Sequence, residues 1–280
     1  MSEGIDKVSV YISTHNRLDS LKRAIHSVVS QSYENIEILV SDDASSDGTY
    51  EFMKNLALKE KRIIYLRNDK NKGACATRNA AIFRASGKFI TGLDDDDEFM
   101  PNRISNFLKY WDDRYSFICC NFVNRYPDGK EVNYYKDSDK PIKFMYKDML
   151  FENEASNQIF TLTSRLKKIE GFNTTVRRLQ DWDTWLRLSY EFGDFIRLPF
   201  TTYIMNHDHL PSDVRVSKAC NITDALLELI NRNESLYSKD EKSYMYFLVS
   251  TMLKEASFKN SIYWSFKNMN IKFLIKYIMQ

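Results

Sequence analysis

Glycine is scarce in this sequence, with eight in 280 residues. None falls in a G-x-G-x-x-G or a G-x-x-x-x-G-K-[ST] pattern, so neither a dinucleotide fingerprint nor a P-loop is on offer. The four cysteines, Cys75, Cys119, Cys120 and Cys220, show no C-x-x-C spacing. Cys119 and Cys120 lie in an apolar run, as buried thiols do, and a reducing cytoplasm is the expected compartment. An excess of one charge is also lacking: the net charge is +2, which removes the global field of a nucleic-acid binder. No segment reaches the roughly 18 uninterrupted apolar residues of a membrane span. The first residues, "MSEGIDK", lack the apolar centre of a signal peptide, so the expectation is a protein kept inside the cell. No internal repeat and no low-complexity linker is visible.

The material for a large core is present, with 43% hydrophobic residues, 18 Phe, 17 Tyr and 4 Trp. Over the first 125 residues short β-branched runs alternate with helical patterns. "VSVYIS" reads as a strand, and the helix after it puts Leu18, Leu21, Ile25, Val28 and Val29 on one face. "IEILVS", "IIYL", "KFITGL" and "FICCNFV" read as further strands, with helices through "TYEFMKNLALKE", "ACATRNAAIFRAS" and "NRISNFLKYWDD" between them. This alternation predicts a mostly parallel α/β sheet with helices on both faces. "YPDGK" is a turn signal and predicts a hairpin. A mixed region follows, the chain reads as helical from about residue 217, and a boundary is expected near 210.

In a sheet of this kind ligands bind beyond the carboxyl ends of the strands. The strands run into "STHNR", "SDDASSDGT", "NDKNKGACATRN" and "DDDDE", four polar loops for one edge. Asp47 and Asn16 have a plainer use as helix caps. Four consecutive aspartates, Asp94 to Asp97, repel one another unless a cation sits among them. If the run is extended, Asp94 and Asp96 point one way and Asp95 and Asp97 the other. Paired carboxylates at a strand end suit Mg²⁺ or Mn²⁺ completed by phosphate oxygens. A second acidic motif, "LQDWDTWLRLS", is helical in pattern. Asp181 shares an arc with Trp185, Leu188 and Phe192, whereas Asp183 lies outside it and pairs with Arg187 one turn on at the surface. A carboxylate on the apolar face is a candidate general base, with helix capping as the alternative.

The run from "VSVYISTHNR" to "GLDDDDEFMP" resembles the nucleotide-binding half of family-2 inverting glycosyltransferases of the GT-A fold, and "LQDWDTWLRLS" resembles their catalytic-base motif. The resemblance implies a GT-A domain over residues 1–210, with 1–125 as the nucleotide-sugar half and 126–210 as the acceptor half, followed by a helical region over 211–280. It assigns Thr14, Asn16 and Arg17 to the loop around base and ribose. Asp42 and Asp43 become the pair that meets the uracil, with Asp47 near ribose or phosphate. It directs Arg78 to the diphosphate or base pocket, gives Asp95 or Asp94 the ribose and Asp96 the Mn²⁺ or Mg²⁺, and makes Asp181 the base. A mobile-loop histidine that closes over the metal corresponds to His207 or to His209.

The implied function is transfer of a hexose, galactose or glucose, from a UDP-sugar with inversion, forming a β-linkage. The implied acceptor is a glycan, expected to be an N-acetylhexosamine on a lipid diphosphate at the inner face of the cytoplasmic membrane, as in O-antigen, lipopolysaccharide or capsule synthesis. A metal-dependent nucleotidyl- or phosphotransferase and a non-catalytic sugar-nucleotide-binding subunit are the alternatives, and nucleic acid is not an expected partner. The last stretch, "NSIYWSFKNMNIKFLIKYIM", reads as one basic amphipathic helix with Ile262, Tyr263, Phe266, Met269, Phe273, Leu274 and Tyr277 on a broad face. It suits peripheral membrane contact, or packing on its own domain or in a homodimer.

Overall fold

The computed structural model describes residues 6–136, 138–155, 158–208 and 220–279. The strands Val8–Thr14 (β1), Ile36–Asp42 (β2), Ile63–Arg67 (β3) and Phe89–Asp94 (β4) form where the β-branched runs place them. All of β2 is buried, charged Glu37 included, as expected of a strand covered on both faces. The helices between are Leu18–Val29 (α1), Thr49–Lys59 (α2) and Ala74–Arg84 (α3). Leu21, Ala24, Ile25 and Val28 are the buried face of α1, spaced three and four residues apart as an amphipathic helix requires.

After β4 come Glu98–Phe99 (β5), the helix Arg103–Tyr110 (α4), and the strands Ile118–Arg125 (β6), Glu131–Asn133 (β7), Ile142–Phe144 (β8) and Phe160–Leu162 (β9). Thr163–Lys168 (α5), Gln180–Phe192 (α6) and Phe195–Asn206 (β10) follow. Among the described residues the ten strands make one sheet in the order β3-β2-β1-β4-β9-β6-β10-β5, with β7 on β6 and β8 on β10. The pairs β1–β2, β2–β3, β1–β4 and β6–β10 are parallel. The expected hairpin is present: β7 folds back on β6 through a turn in which Gly129 N–H donates to Tyr126 O (2.9 Å). The short β9, antiparallel to both β4 and β6, joins the two parts of the sheet. Three residues cannot announce a strand by periodicity.

The chain divides into two compact units, Met1–Val176 with Gln180–Asp213, and Arg177–Leu179 with Val214–Gln280. In the second unit the helices are Ile222–Arg232 (α7), Lys239–Met252 (α8), Phe258–Lys267 (α9) and Lys272–Ile278 (α10). Phe247, Ala256 and Trp264 form its small core, with Tyr244 and Phe273 against them. The expected single last helix is therefore two. Met269 sits at φ +47°, and Asn270 N–H donates back to Ser265 O (2.8 Å), which ends α9. The face expected to be continuous is split, with Phe273 turned inward onto Phe247 and Met269 left outside. No helix among the described residues is long and apolar enough to cross a membrane.

Candidate active site

Strand register brings the loops together. Thr14 pairs with Asp42 across β1–β2, Ser13 pairs with Asp94 across β1–β4, and Asp42 pairs with Arg67 across β2–β3. The polar strand ends therefore share one edge, where open ends of a parallel sheet collect ligands.

The first two loops are zipped to each other. Asn16, in the left-handed region at φ +53°, donates its N–H to Ser45 Oγ (2.9 Å) and accepts from Ser46 N–H at Oδ1 (2.7 Å). Its side chain thus ties the neighbouring loop instead of capping α1. Asp47 accepts from Leu18 N–H (2.9 Å), Thr49 N–H (3.2 Å) and Thr49 Oγ1 (2.6 Å). One carboxylate serves the starts of both α1 and α2.

Asp42 is fully buried and accepts from Ser45 N–H, the Tyr65 hydroxyl and Arg67. Asp43 accepts from Asn68 Nδ2, Lys72 N–H and Gly73 N–H, each at 2.8 Å. Burial would raise its pKa, but these donors together with Thr77 hold it below the usual carboxylate range. The acidic pair organises the β2–α2 and β3–α3 loops from within.

The four aspartates are not extended. Asp97 N–H donates to Asp94 O (3.1 Å), so the run is a tight turn and the expected alternation of directions is lost. Asp94 ends β4. The adjacent Asp95 and Asp96 share Arg17 Nη1, at 3.1 and 2.6 Å. Asp97 is turned inward, where it accepts from the Tyr203 hydroxyl (2.7 Å) and Asn206 N–H (2.9 Å) on β10. Burial, followed by the Asp96 carboxylate, pushes Asp95 up to about 7 against the pull of Arg17. Burial and the Asp96 and Asp94 charges push Asp97 well above its ordinary value.

Arg78, on α3, joins the two acidic motifs. Its guanidinium donates to Asp94 Oδ1 (2.8 Å) and Gln180 Oε1 (2.9 Å), and lies 3.6 Å from Asp181 Oδ1 and over the Phe172 ring. Gln158 supports the same oxygen of Asp94 from Nε2 (3.1 Å) and accepts from the Tyr11 hydroxyl (3.2 Å). Gly92 makes room for this: a Cβ there would lie 2.0 Å from Gln158 Oε1 and 2.4 Å from Tyr11 Cζ.

Asp181 sits in the first turn of α6 with its side chain 25% exposed. Its Oδ1 is itself buried and has no hydrogen-bond partner among the described residues. Burial pushes the group up to about 7, with Arg78 lowering and Asp94 raising it. Asp183 differs in kind. It pairs with Arg187 as expected (3.1 Å, one turn on) but is 1% exposed, so the expected surface pair is a buried one. The reason is that α6 is covered on two sides. Trp182 Nε1 donates to Met149 O, and Arg187 also donates to Ile169 O and Gly171 O.

His207, just past β10, shares a hydrogen bond with Asn124 Oδ1 (2.7 Å) and stacks on Tyr126. His209 lies outside the described residues. Among the described residues no three His, Cys, Asp or Glu side chains form a group able to hold a metal. Two carboxylates are nonetheless enough for a divalent ion that takes the rest of its shell from water and phosphate. Asp95 and Asp96 fit that use, since burial and the neighbouring Asp96 charge both raise Asp95 and a cation would offset them. Reasoning from the sequence did not pick out Gln158, Gln180, Tyr11 or Tyr203 for this site. Gln180 adjoins Asp181 and could have been suspected; Gln158 lies in a stretch without periodicity and carried no signal.

A model described as "Glycosyl transferase family 2" matches residues 9–173. A putative colanic acid biosynthesis glycosyl transferase, WcaA, of Escherichia coli (strain K12) is 33% identical over 246 residues, 86% of each chain. The GalNAc(5)-diNAcBac-PP-undecaprenol beta-1,3-glucosyltransferase of Campylobacter jejuni is 30% identical over 244 residues, 84% of this chain and 77% of that one. Among solved structures, S. aureus TarS 1-349 in complex with UDP-GlcNAc superposes with a TM-score of 0.63, covering 89% of this chain and 72% of that one. At 16% identity the likeness is one of fold. A longer TarS structure is matched over 43% of its length.

Proposed function

The chain belongs to glycosyl transferase family 2, and from that premise we propose an inverting hexosyltransferase that moves glucose or galactose from a UDP-sugar to a lipid-diphosphate-linked sugar, forming a β-linkage. Residues 1–125 take the nucleotide sugar and 126–210 the acceptor.

Asp181 carries this reading. A general base needs a free oxygen, a pKa near the working pH and a place beside the donor. Asp181 keeps a quarter of its side chain exposed, so an acceptor can reach it. It has no hydrogen-bond partner on Oδ1 among the described residues, a pKa raised to about 7, and a link through Arg78 to Asp94 at the donor edge. The acceptor hydroxyl gives its proton to Asp181 as its oxygen bonds to the anomeric carbon. The bond from that carbon to the diphosphate oxygen breaks on the opposite face, and its electron pair leaves with the nucleotide. Arg78 keeps the carboxylate aimed and steadies its charge. Arg17 and the loops tied by Asn16, Asp43 and Asp47 shape the nucleotide pocket.

Asp96, with Asp95 or Asp94 beside it, would hold Mn²⁺ or Mg²⁺, which when bound neutralises charge on the leaving diphosphate. The acceptor class is supported by the Campylobacter relative, whose name specifies an undecaprenol-diphosphate-linked acceptor and a β-1,3-glucosyl product. An acceptor of that kind presents its sugar at a membrane surface, so the enzyme works from the cytoplasmic side of it. Purified protein given a panel of nucleotide sugars with a lipid-diphosphate-linked N-acetylhexosamine should release UDP and form a β-hexoside, and lose that activity reversibly in EDTA. Turnover undiminished in EDTA would remove the metal, and release of a sugar phosphate or pyrophosphate in place of UDP would favour a phosphotransferase.

A further inference from the structure

The structure assigns a second surface a partner: we infer that the outer side of the α9–α10 hairpin docks on an anionic lipid bilayer, with Phe266, Met269 and Ile271 at its tip entering the acyl boundary. Phe258 at the start of α9 meets Tyr277 at the end of α10, ring centroids 5.5 Å apart, so the two helices fold back on each other. The inner side is already used, since Trp264 and Phe273 close on Phe247 and Tyr244. What remains outside is apolar to an unusual degree. Phe266 is 80% exposed, Met269 95% and Ile271 66% at the tip, and Ile278 and Met279 are 71% and 81% exposed at the other end. A cluster of such side chains on a water-facing surface marks a contact site.

Charge decides which partner. Between residues 254 and 280 there are five lysines and one acid, Glu255, and none of residues 256–280 is acidic. Lys267 is tied to Asp240 (2.8 Å), and Lys254, Lys259, Lys272 and Lys276 are exposed around the apolar patch. Two copies meeting through this face would set four exposed lysines against four, with only Glu255 and Asp240, the latter already tied to Lys267, to offset them. A bilayer bearing anionic headgroups accepts both features at once, the lysines at the phosphates and the apolar tip below them. The break at Met269 matters here. A continuous helix would lie flat, whereas the hairpin presents three large apolar groups, Phe266, Met269 and Ile271, within six residues at one turn. This surface lies in the helical unit and needs neither donor nor acceptor, so its failure would leave the catalytic reading standing, and the reverse.

The test is co-sedimentation of the full chain with vesicles of phosphatidylcholine alone and of phosphatidylcholine mixed with phosphatidylglycerol. The wild type should partition onto the mixed vesicles and hardly onto the neutral ones. The F266S/M269S double variant should bind the mixed vesicles at least about tenfold more weakly, since two large apolar groups lose their burial, with an unchanged circular-dichroism melt. The K259Q/K272Q/K276Q variant, whose substitutions touch only exposed side chains, should lose the preference for the anionic lipid. Absence of wild-type binding, or equal binding by both variants, overturns the inference. A wild-type dimer that F266S/M269S dissociates with vesicle binding unchanged overturns it in favour of a second copy.

Discussion

At the scale of single residues, Asp181 and Asp183 are two positions apart and held in opposite ways. Asp181 Oδ1 lacks a hydrogen-bond partner among the described residues, whereas Asp183 is buried against Arg187. Asp181→Asn should lower kcat by at least roughly two decades, the usual scale of a general base. Its melting temperature at pH 8 should stay level or rise, because the variant no longer buries a charge. Asp183→Asn should do the reverse, weakening a buried ion pair and losing on the order of 2 kcal/mol of stability while the folded fraction still turns over. Parallel kinetics and urea melts separate them, and exchange of the two phenotypes would move the base to Asp183. The raised pKa also sets the sign of the pH dependence. A base works deprotonated, so kcat/KM should climb as pH rises through about 7 and not through the ordinary carboxylate range near 4. A profile flat from pH 5 to 8 would show that Asp181 does not titrate in the rate.

At the scale of elements, the sheet is pinned at the end remote from the site by Glu37. This buried carboxylate on β2 accepts from Ser9 Oγ (2.6 Å) on β1 and from Ser86 N–H (2.6 Å), Ser86 Oγ (2.7 Å) and Gly87 N–H (3.1 Å) before β4, and pairs with Lys7 (2.6 Å). Burial alone would raise its pKa; Lys7, Ser9 and Ser86 together bring it down to about 2. Glu37→Ala leaves several buried donors without an acceptor and should cost about 3 kcal/mol. The loss should appear in the melt of the whole first unit, since three parallel strands meet there. The folded pKa lies below the unfolded one, so the stability Glu37 contributes is full above about 4.5 and disappears as pH falls toward 2. A melt of Glu37→Ala within experimental error of the wild type would mean the strands hold without this node.

At the scale of the whole molecule these groups act in opposite directions. Glu37, and Glu60 at the end of α2, where the Arg62 side chain and N–H donate to its carboxylate, are both brought down to about 2 and favour the fold as pH rises out of the acid range. Asp95 and Asp181, both pushed up to about 7, bind more protons folded than unfolded, so they erode stability as pH rises from about 4 to 7. The urea midpoint should therefore pass through a maximum in mildly acidic solution and fall toward neutrality. In Asp181→Asn the fall should be shallower. A midpoint still rising from pH 5 to 8 would contradict the balance. Burial is the main cause of both upward shifts, and Arg17 and Arg78 offset it only in part.

Apart from the two-residue β5, the sequence by itself determined the alternation of strand and helix up to β6, the hairpin after it and the collection of polar loops at one sheet edge. It did so because strand and helix periods and turn residues are local properties. The motifs carried the family, since each is a short ordered string whose residues stand next to one another. Only the tertiary structure decided which carboxylates face what. Asp183 is buried because α6 is covered by distant segments at Met149, Ile169 and Gly171. The four aspartates are a turn because Tyr203 and Asn206, more than a hundred residues on, draw Asp97 inward. Gln158 reaches Asp94 across β4 only because Gly92 has no side chain. The break between α9 and α10 likewise follows from Phe273 turning back onto Phe247 and Trp264. Such contacts join residues far apart in the chain, and periodicity does not reach that far.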